Sequence, residues 1–455
     1  MSREQAPNLQ PIDDPSRMLE FFKSGAKRPE DRLIGTETEK FVLRKSTSSM
    51  LSFEEPGGFG DLFAALADRF DWELTPPDEG HVVALVGPKG AVTLEPGGQL
   101  ELSGAPLKTV FQTAEEFDTH LAELYAVADD DLLFTMWGLN PCVTLDDVPW
   151  MPKSRYRIMR DYLPTRGDLA HWMMKTTCTI QANYDFCTEE DAVDLIHTAV
   201  LASPVVGALF ANSPIRERRP TGMQSTRNYI WTRTDPDRTG VPSFMYHRDW
   251  GFRDYLEYVL DVPMFFIRRD DRYLNTAGYS FRQFLNEGYQ GHTATMGDFE
   301  LHLSTLFPDV RLKRFVEVRS ADGGSRDAVL ALPALWKGLL YDDDARRQIR
   351  DLFYPFSEGD HRRLTTAAYT DGIHGTSAFG PIAELATALV EISERALDRI
   401  AASENHSSEA TFLAPLRTRL DEGRSWADLL AASFEETQGD LAQTAALWPL
   451  KPTDQ

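Results

Sequence analysis

Four short segments of this chain place polar side chains two residues apart inside apolar, β-branched runs, and that spacing constrains the fold more than any other feature. In an extended strand, residues i and i+2 project from one face. In IGTETEKFVL, Glu37 and Glu39 therefore point together, opposite Thr38 and Lys40. In VTLEPGGQLELSG, Gln99 and Glu101 share a face, and Glu95 precedes a Pro96-Gly97-Gly98 turn able to fold its carboxylate back towards them. Gln181 and Asn183 alternate with Ile180, Ala182 and Tyr184, and Glu317 and Arg319 alternate with Val316 and Val318. One such strand is ordinarily a half-solvated face. Four of them carrying five carboxylates need a shared partner, because like charges within about 4–6 Å disfavour joint ionisation. Glu37, Glu39, Glu95, Glu101 and Glu317 on one face are expected to be neutralised by divalent cations. Hard oxygen ligands suit magnesium or manganese bridging nucleotide phosphates. Arg319, two residues from Glu317, is placed to clamp a transferred phosphoryl group.

Around these segments the pattern predicts strands at 32–44, 92–102, 177–186 and 311–319, and helices at 188–211 and 381–402. Segments rich in Gly, Pro and Ser near 45–60 and 403–409 read as loops. Strands and helices alternate irregularly, without the βαβ rhythm of a doubly wound sheet, so an α+β fold with an antiparallel sheet is expected. The chain reads as a single catalytic domain over 1–455 with a helical C-terminal part from about 381. No GxxxxGK[ST] loop, no GxGxxG after a strand, no HExxH and no GxSxG is present. Any nucleotide must be held another way.

A length of 455 residues with 42% apolar composition suits an enzyme-sized globular protein, and a formal net charge of -23 argues against a nucleic-acid face. The N-terminus lacks an export-signal pattern, and the apolar run Ala328 to Trp336 is too short to span a bilayer. A cytoplasmic location with no membrane partner is the expectation. Cys142, Cys178 and Cys187, without CxxC spacing, read as buried free thiols and not as a disulfide framework or zinc site. A further cluster, Arg219, Arg227, Arg233 and Arg238 among Gly, Pro and Thr, reads either as a binding loop or as arginines paired with this acidic protein's own surface.

At TETEKF, LEPGGQLELSG, TTCTIQANYDF, ANSPI with TRNYIWTRTDPDRTG, DVPMFF, RLKRFVEVRSADGG and ALPALWKGLLYDDD, the sequence resembles the glutamate-cysteine ligases, specifically the plant and proteobacterial branch. The resemblance is dense from Arg32 to Asp344 and looser beyond. It implies a glutamine-synthetase-like carboxylate-amine ligase fold, an antiparallel sheet funnel flanked by helices. It implies that Glu37, Glu39, Glu95, Glu101 and Glu317 coordinate Mg2+ (or Mn2+), with Glu37 and Arg319 as catalytic groups. ATP would meet Gln181, Asn183 and Arg319, and Arg227 and Arg238 would hold the glutamate carboxylate. The implied chemistry is ATP-dependent joining of L-glutamate to L-cysteine through a γ-glutamyl phosphate, the first step of glutathione synthesis, by a monomer or weak homodimer. Where plant members are similar but carry regulatory cysteines, RYLNTAGYSF and AVLALPALW contain none, so no thiol switch is expected. Three rival readings stand beside this one. They are a ligase of the same fold with another amine acceptor, shaped by residues such as Phe265 and Phe266; a non-catalytic binding homologue; and a metal-dependent hydrolase.

Overall fold

Eleven residues from Ile34 to Arg44 form the longest strand, β1, and the rest of the fold is arranged around it. The computed structural model describes residues 8–450 apart from 89, 271 and 449; positions 1–7, read above for an export signal, lie outside it. The other strands of a nine-stranded antiparallel sheet are β2 (Glu73–Leu74), β3 (Ala84–Val86), β4 (Ala91–Leu94), β5 (Leu100–Ser103), β6 (Leu132–Thr135), β7 (Thr179–Tyr184), β8 (Val310–Leu312) and β9 (Val316–Asp322). Their order is β8-β9-β7-β1-β5-β4-β3-β2, with β6 pairing the far end of β1.

Two segments read as single strands are hairpins. Within 92–102, Gly98 takes φ +83, a left-handed conformation that glycine adopts without strain, and Glu95 N donates to Gln99 O at 2.9 Å. Extended residues cannot continue through that turn, so β4 reverses into β5. Within 311–319, Lys313 N donates to Phe315 O at 2.9 Å and the chain folds back from β8 to β9.

The helices that matter for the site are α1 (Val110–Val127), α2 (Glu189–Leu209), α3 (Thr226–Trp231), α4 (Arg326–Tyr341), α5 (Ile382–Glu404), α6 (Trp426–Glu436) and α7 (Leu441–Ala446). α2 starts where expected: the Thr188 hydroxyl accepts from Asp191 N at 3.1 Å, and three acidic residues in its first turn oppose the positive end of the helix dipole. By length and composition α2 could cross a membrane, but almost all of it is buried inside this fold. The 328–336 run is the buried middle of α4.

α1 and α4 cover one face of the sheet. On that face the Tyr184 hydroxyl donates to Pro333 O at 2.9 Å, and the Lys40 ammonium sits 5.3 Å from the Phe117 ring. Burial pushes the Lys40 ammonium down to about 7. α6 and α7 rest on the distal half of β1, where Leu430, Leu441 and Ala445 pack with Phe41, Leu43 and Trp137. The sheet's other face is left for the site.

Candidate active site

Cross-strand neighbours share a face, so the register determines which side chains meet. Glu37 stands opposite Gln181 on β7 and Ser103 on β5; Glu39 stands opposite Glu101, itself opposite Thr93 on β4. Glu317 lies opposite Asn183 on one side and Arg311 on the other. The structure therefore brings Glu37, Glu39, Glu101, Gln181, Asn183 and Glu317 onto one face, as their spacing in the sequence requires, and adds Glu95 from the β4–β5 turn. Glu37, Glu39, Glu95, Glu101 and Gln181 line a cleft of about 820 Å3 that is continuous with solvent, together with Arg155, Tyr156, Trp231, Phe266, Arg311 and Arg319; Asn183 and Glu317 share the face but are not part of that lining.

The turn that carries Glu95 is fixed on both sides. Gly97 lies so close to α-carbon and carbonyl atoms of Lys175 that a Cβ there would sit 2.2 Å from Lys175 O. Gln99 accepts from Gly97 N at 3.0 Å and donates to Thr177 O at 2.8 Å. Glu95 shares a hydrogen bond with Glu101, and burial together with the Glu101 charge pushes Glu95 up to about 7. The Ser103 hydroxyl donates to Glu101. Glu39 accepts from Thr179 N at 3.0 Å. Burial, then the charges of Glu95 and Glu101, raise Glu39 well above the usual carboxylate range, with Arg227 and Arg319 pulling the other way.

At the opposite edge of the cleft the charges are matched. Glu317 is fully buried, accepting from Arg311 Nη2 at 2.7 Å, from Lys313 Nζ at 3.0 Å and from Arg319 Nη1. Burial works against its charge, but Arg311, Lys313 and Arg319 prevail and hold it well below the ordinary carboxylate range. Arg319 also donates to Gln181 Oε1, and Asn183 Nδ2 donates to Glu37 at 3.2 Å. The Arg319 guanidinium lies 5.8 Å from the Trp231 ring and 5.7 Å from Phe307, so its position is set by the wall as well as by Glu317.

Arg227 and Arg238 do not line the cleft. Arg227 is buried behind it, donating to Arg319 O at 3.2 Å and standing 3.9 Å from Asp322, with Nε unpartnered. Arg238 is fully enclosed: it pairs with Asp235 at 2.6 Å, donates to Thr305 O and Pro263 O, and stacks 3.9 Å from the Phe265 ring. In this structure it braces the wall and offers no donor to a substrate, because burying a guanidinium requires these partners. Of the two phenylalanines, Phe266 lines the cleft and Phe265 underlies Arg238. Sequence reading missed Arg311, Arg155 and the apolar wall of Met159, Met173 and Met174.

Glu39, Glu95 and Glu101 fit a hard divalent cation by donor chemistry: they are buried carboxylates on one face, and the charges of Glu95 and Glu101 push Glu39 up while that of Glu101 pushes Glu95 up. Glu317 has its charge matched already. Among the described residues no three acidic, His or Cys groups stand at metal-ligand spacing. Cys142, Cys178 and Cys187 are free thiols.

An antiparallel sheet with one acid-lined face and arginines across a cleft defines an enzyme of the carboxylate-amine ligase fold. Solved structures agree: a glutamate-cysteine ligase from Francisella tularensis in complex with AMP superposes with a TM-score of 0.57 at 13% identity, covering 91% of this chain and 87% of that one. A bifunctional glutathione synthetase from Pasteurella multocida superposes at 0.53 and 13%, covering 95% and 52%. The chain belongs to glutamate-cysteine ligase family 2 (GCS2), whose model matches residues 33–446. It is 39% identical to glutamate-cysteine ligase A, chloroplastic, of Oryza sativa subsp. indica over 422 residues, 92% of this chain and 84% of the relative. It is 39% identical to the chloroplastic enzyme of Arabidopsis thaliana over 386 residues, 84% and 73%. The cytoplasmic expectation is corrected by these relatives, which are chloroplastic by name.

Proposed function

We propose that this ligase joins the γ-carboxylate of L-glutamate to the amine of L-cysteine, driven by ATP, through a γ-glutamyl phosphate. The observation that carries the reading is the convergence of Glu37, Glu39, Glu95 and Glu101 on one cleft that Arg311 and Arg319 face from the other edge. Glu39, Glu95 and Glu101, with Glu37 beside them, would hold magnesium or manganese, which would supply the charge neutralisation that lets a carboxylate approach a polyphosphate.

In the first step a γ-carboxylate oxygen attacks the γ-phosphorus of ATP and ADP leaves. Such transfer needs positioning and charge stabilisation more than a protein nucleophile. Arg319, held by Glu317 and Gln181, presents a preorganised guanidinium to the phosphoryl oxygens. Asn183 orients Glu37. In the second step the amine attacks the acyl carbon and phosphate leaves. The methionines of the wall, soft and polarizable, suit a small thiol-bearing acceptor. Arg227 is the group we assign to the glutamate carboxylate: it lies off the cleft lining, behind Arg319, and keeps its Nε without a protein partner.

Purified protein incubated with ATP, glutamate, magnesium and a panel of amines, with products weighed by mass spectrometry, tests the scheme. γ-Glutamylcysteine with equimolar ADP is the expected result. A different adduct moves the acceptor, and absence of ADP release removes catalysis altogether.

A further inference from the structure

Strand β9 ends in Asp322, a fully buried carboxylate to which the scheme above gives no role. Its oxygens accept from three donors distant from it in sequence: Asn212 N at 2.8 Å and the Ser213 hydroxyl at 2.6 Å on one oxygen, and the Ser225 hydroxyl at 2.9 Å on the other. Arg227 stands 3.9 Å away. Gly138 completes the enclosure, since a Cβ there would fall 2.4 Å from the Asp322 carboxyl carbon.

The two serines are not end points. Ser225 caps α3 by accepting from Asn228 N at 3.1 Å, and Ser213 accepts from Arg227 N at 3.0 Å. One carboxylate thus orients both hydroxyls that hold the first turn of α3. That six-residue helix carries Arg227 at its second position and Trp231 at its last, the latter on the cleft wall beside Arg319. A helix this short has little cohesion of its own, so its placement depends on its anchors.

We propose that Asp322 is a positioning residue: it touches no substrate, yet it sets the orientation of Arg227 and Trp231 and through them the affinity for glutamate. The affinity part rests on the assignment of Arg227 above; the positioning part does not.

Asp322→Asn replaces one acceptor oxygen with a donor that faces Asn212 N–H or a serine hydroxyl. In the full-length enzyme the KM for glutamate should rise about ten-fold or more, the loss of a charge-assisted hydrogen bond, while kcat and the KM for ATP stay within about three-fold. In substrate-free protein, amide hydrogen exchange at 226–231 should accelerate while the β1 amides stay protected. Ser225→Ala removes one arm only and should shift both readouts the same way to a lesser degree, which covers the case in which Asp322→Asn does not fold. Unchanged α3 exchange in either variant, or kinetic constants that all fall together with the folded fraction, overturns the positioning role. Accelerated exchange with an unchanged glutamate KM leaves Asp322 as the anchor and instead removes Arg227 from the glutamate site.

Discussion

The two edges of the cleft solve opposite electrostatic problems with the same residue type. At one edge Glu39, Glu95 and Glu101 crowd together, with Glu39 and Glu95 raised by burial and by their neighbours' charge; at the other Glu317 is enclosed by Arg311, Lys313 and Arg319. The first arrangement holds a mutual repulsion that a bound cation would relieve. The second is complete in advance, and it holds two arginines at fixed points facing the first. A buried charge is costly when unmatched and costly to disturb when matched, so the two edges should respond differently to the same substitution.

The largest contrast should come from turnover. Glu39→Gln is expected to lower kcat by about 10²- to 10³-fold in a coupled ADP assay while leaving the urea midpoint of ligand-free protein unchanged or higher. Near-normal turnover would take the acid edge out of the reaction. Next in size, Glu317→Gln should cost about 3–5 kcal/mol of stability, because Arg311 and Lys313 lose their counter-charge. Denaturation at the wild-type midpoint would show the two edges to be alike. A smaller effect concerns the ion itself: magnesium at about 100 times its Kd should stabilise the wild-type protein by about 2.7 kcal/mol, read as a rise in Tm. Glu101→Gln should lose that rise. Smallest is a pH effect at Glu95. Its folded value of about 7 lies above the unfolded 4.5, so the folded state holds the extra proton. The group contributes stability that is full below the unfolded value and lost as pH rises through 7. Metal-free wild type should therefore gain on the order of 1 kcal/mol, relative to Glu95→Gln, on going from pH 8 to pH 6. Equal pH slopes in the two proteins would contradict the repulsion assigned to this edge.

Much of this face was legible because strand alternation is a period-two code. Glu37 with Glu39, and Gln181 with Asn183, needed only the pleat to be placed together, and register did the rest. Arg311 shares a motif with Glu317, but its role depends on a hairpin between them that a continuous strand reading hides. Arg238 misled for a related reason: Asp235, three residues before it, binds it inside the protein, and spacing alone does not distinguish an internal pair from an outward donor. The methionine wall comes from helices brought in by tertiary packing, with no local signal in Met159, Met173 or Met174. The plastid-named relatives show why the first residues of a chain are weak ground for a cellular address.

Gly97 and Gln99 make the reverse turn behave unlike a loop. Pressed against the Lys175 carbonyl and hooked to Thr177, it delivers Glu95 with the stiffness of the strands that deliver Glu39 and Glu101. A cation arriving there meets three donors already arrested, and its binding energy is not drained by freezing chain motion. The smallest residue in the segment thereby governs how tightly the largest charge in the pocket can be held.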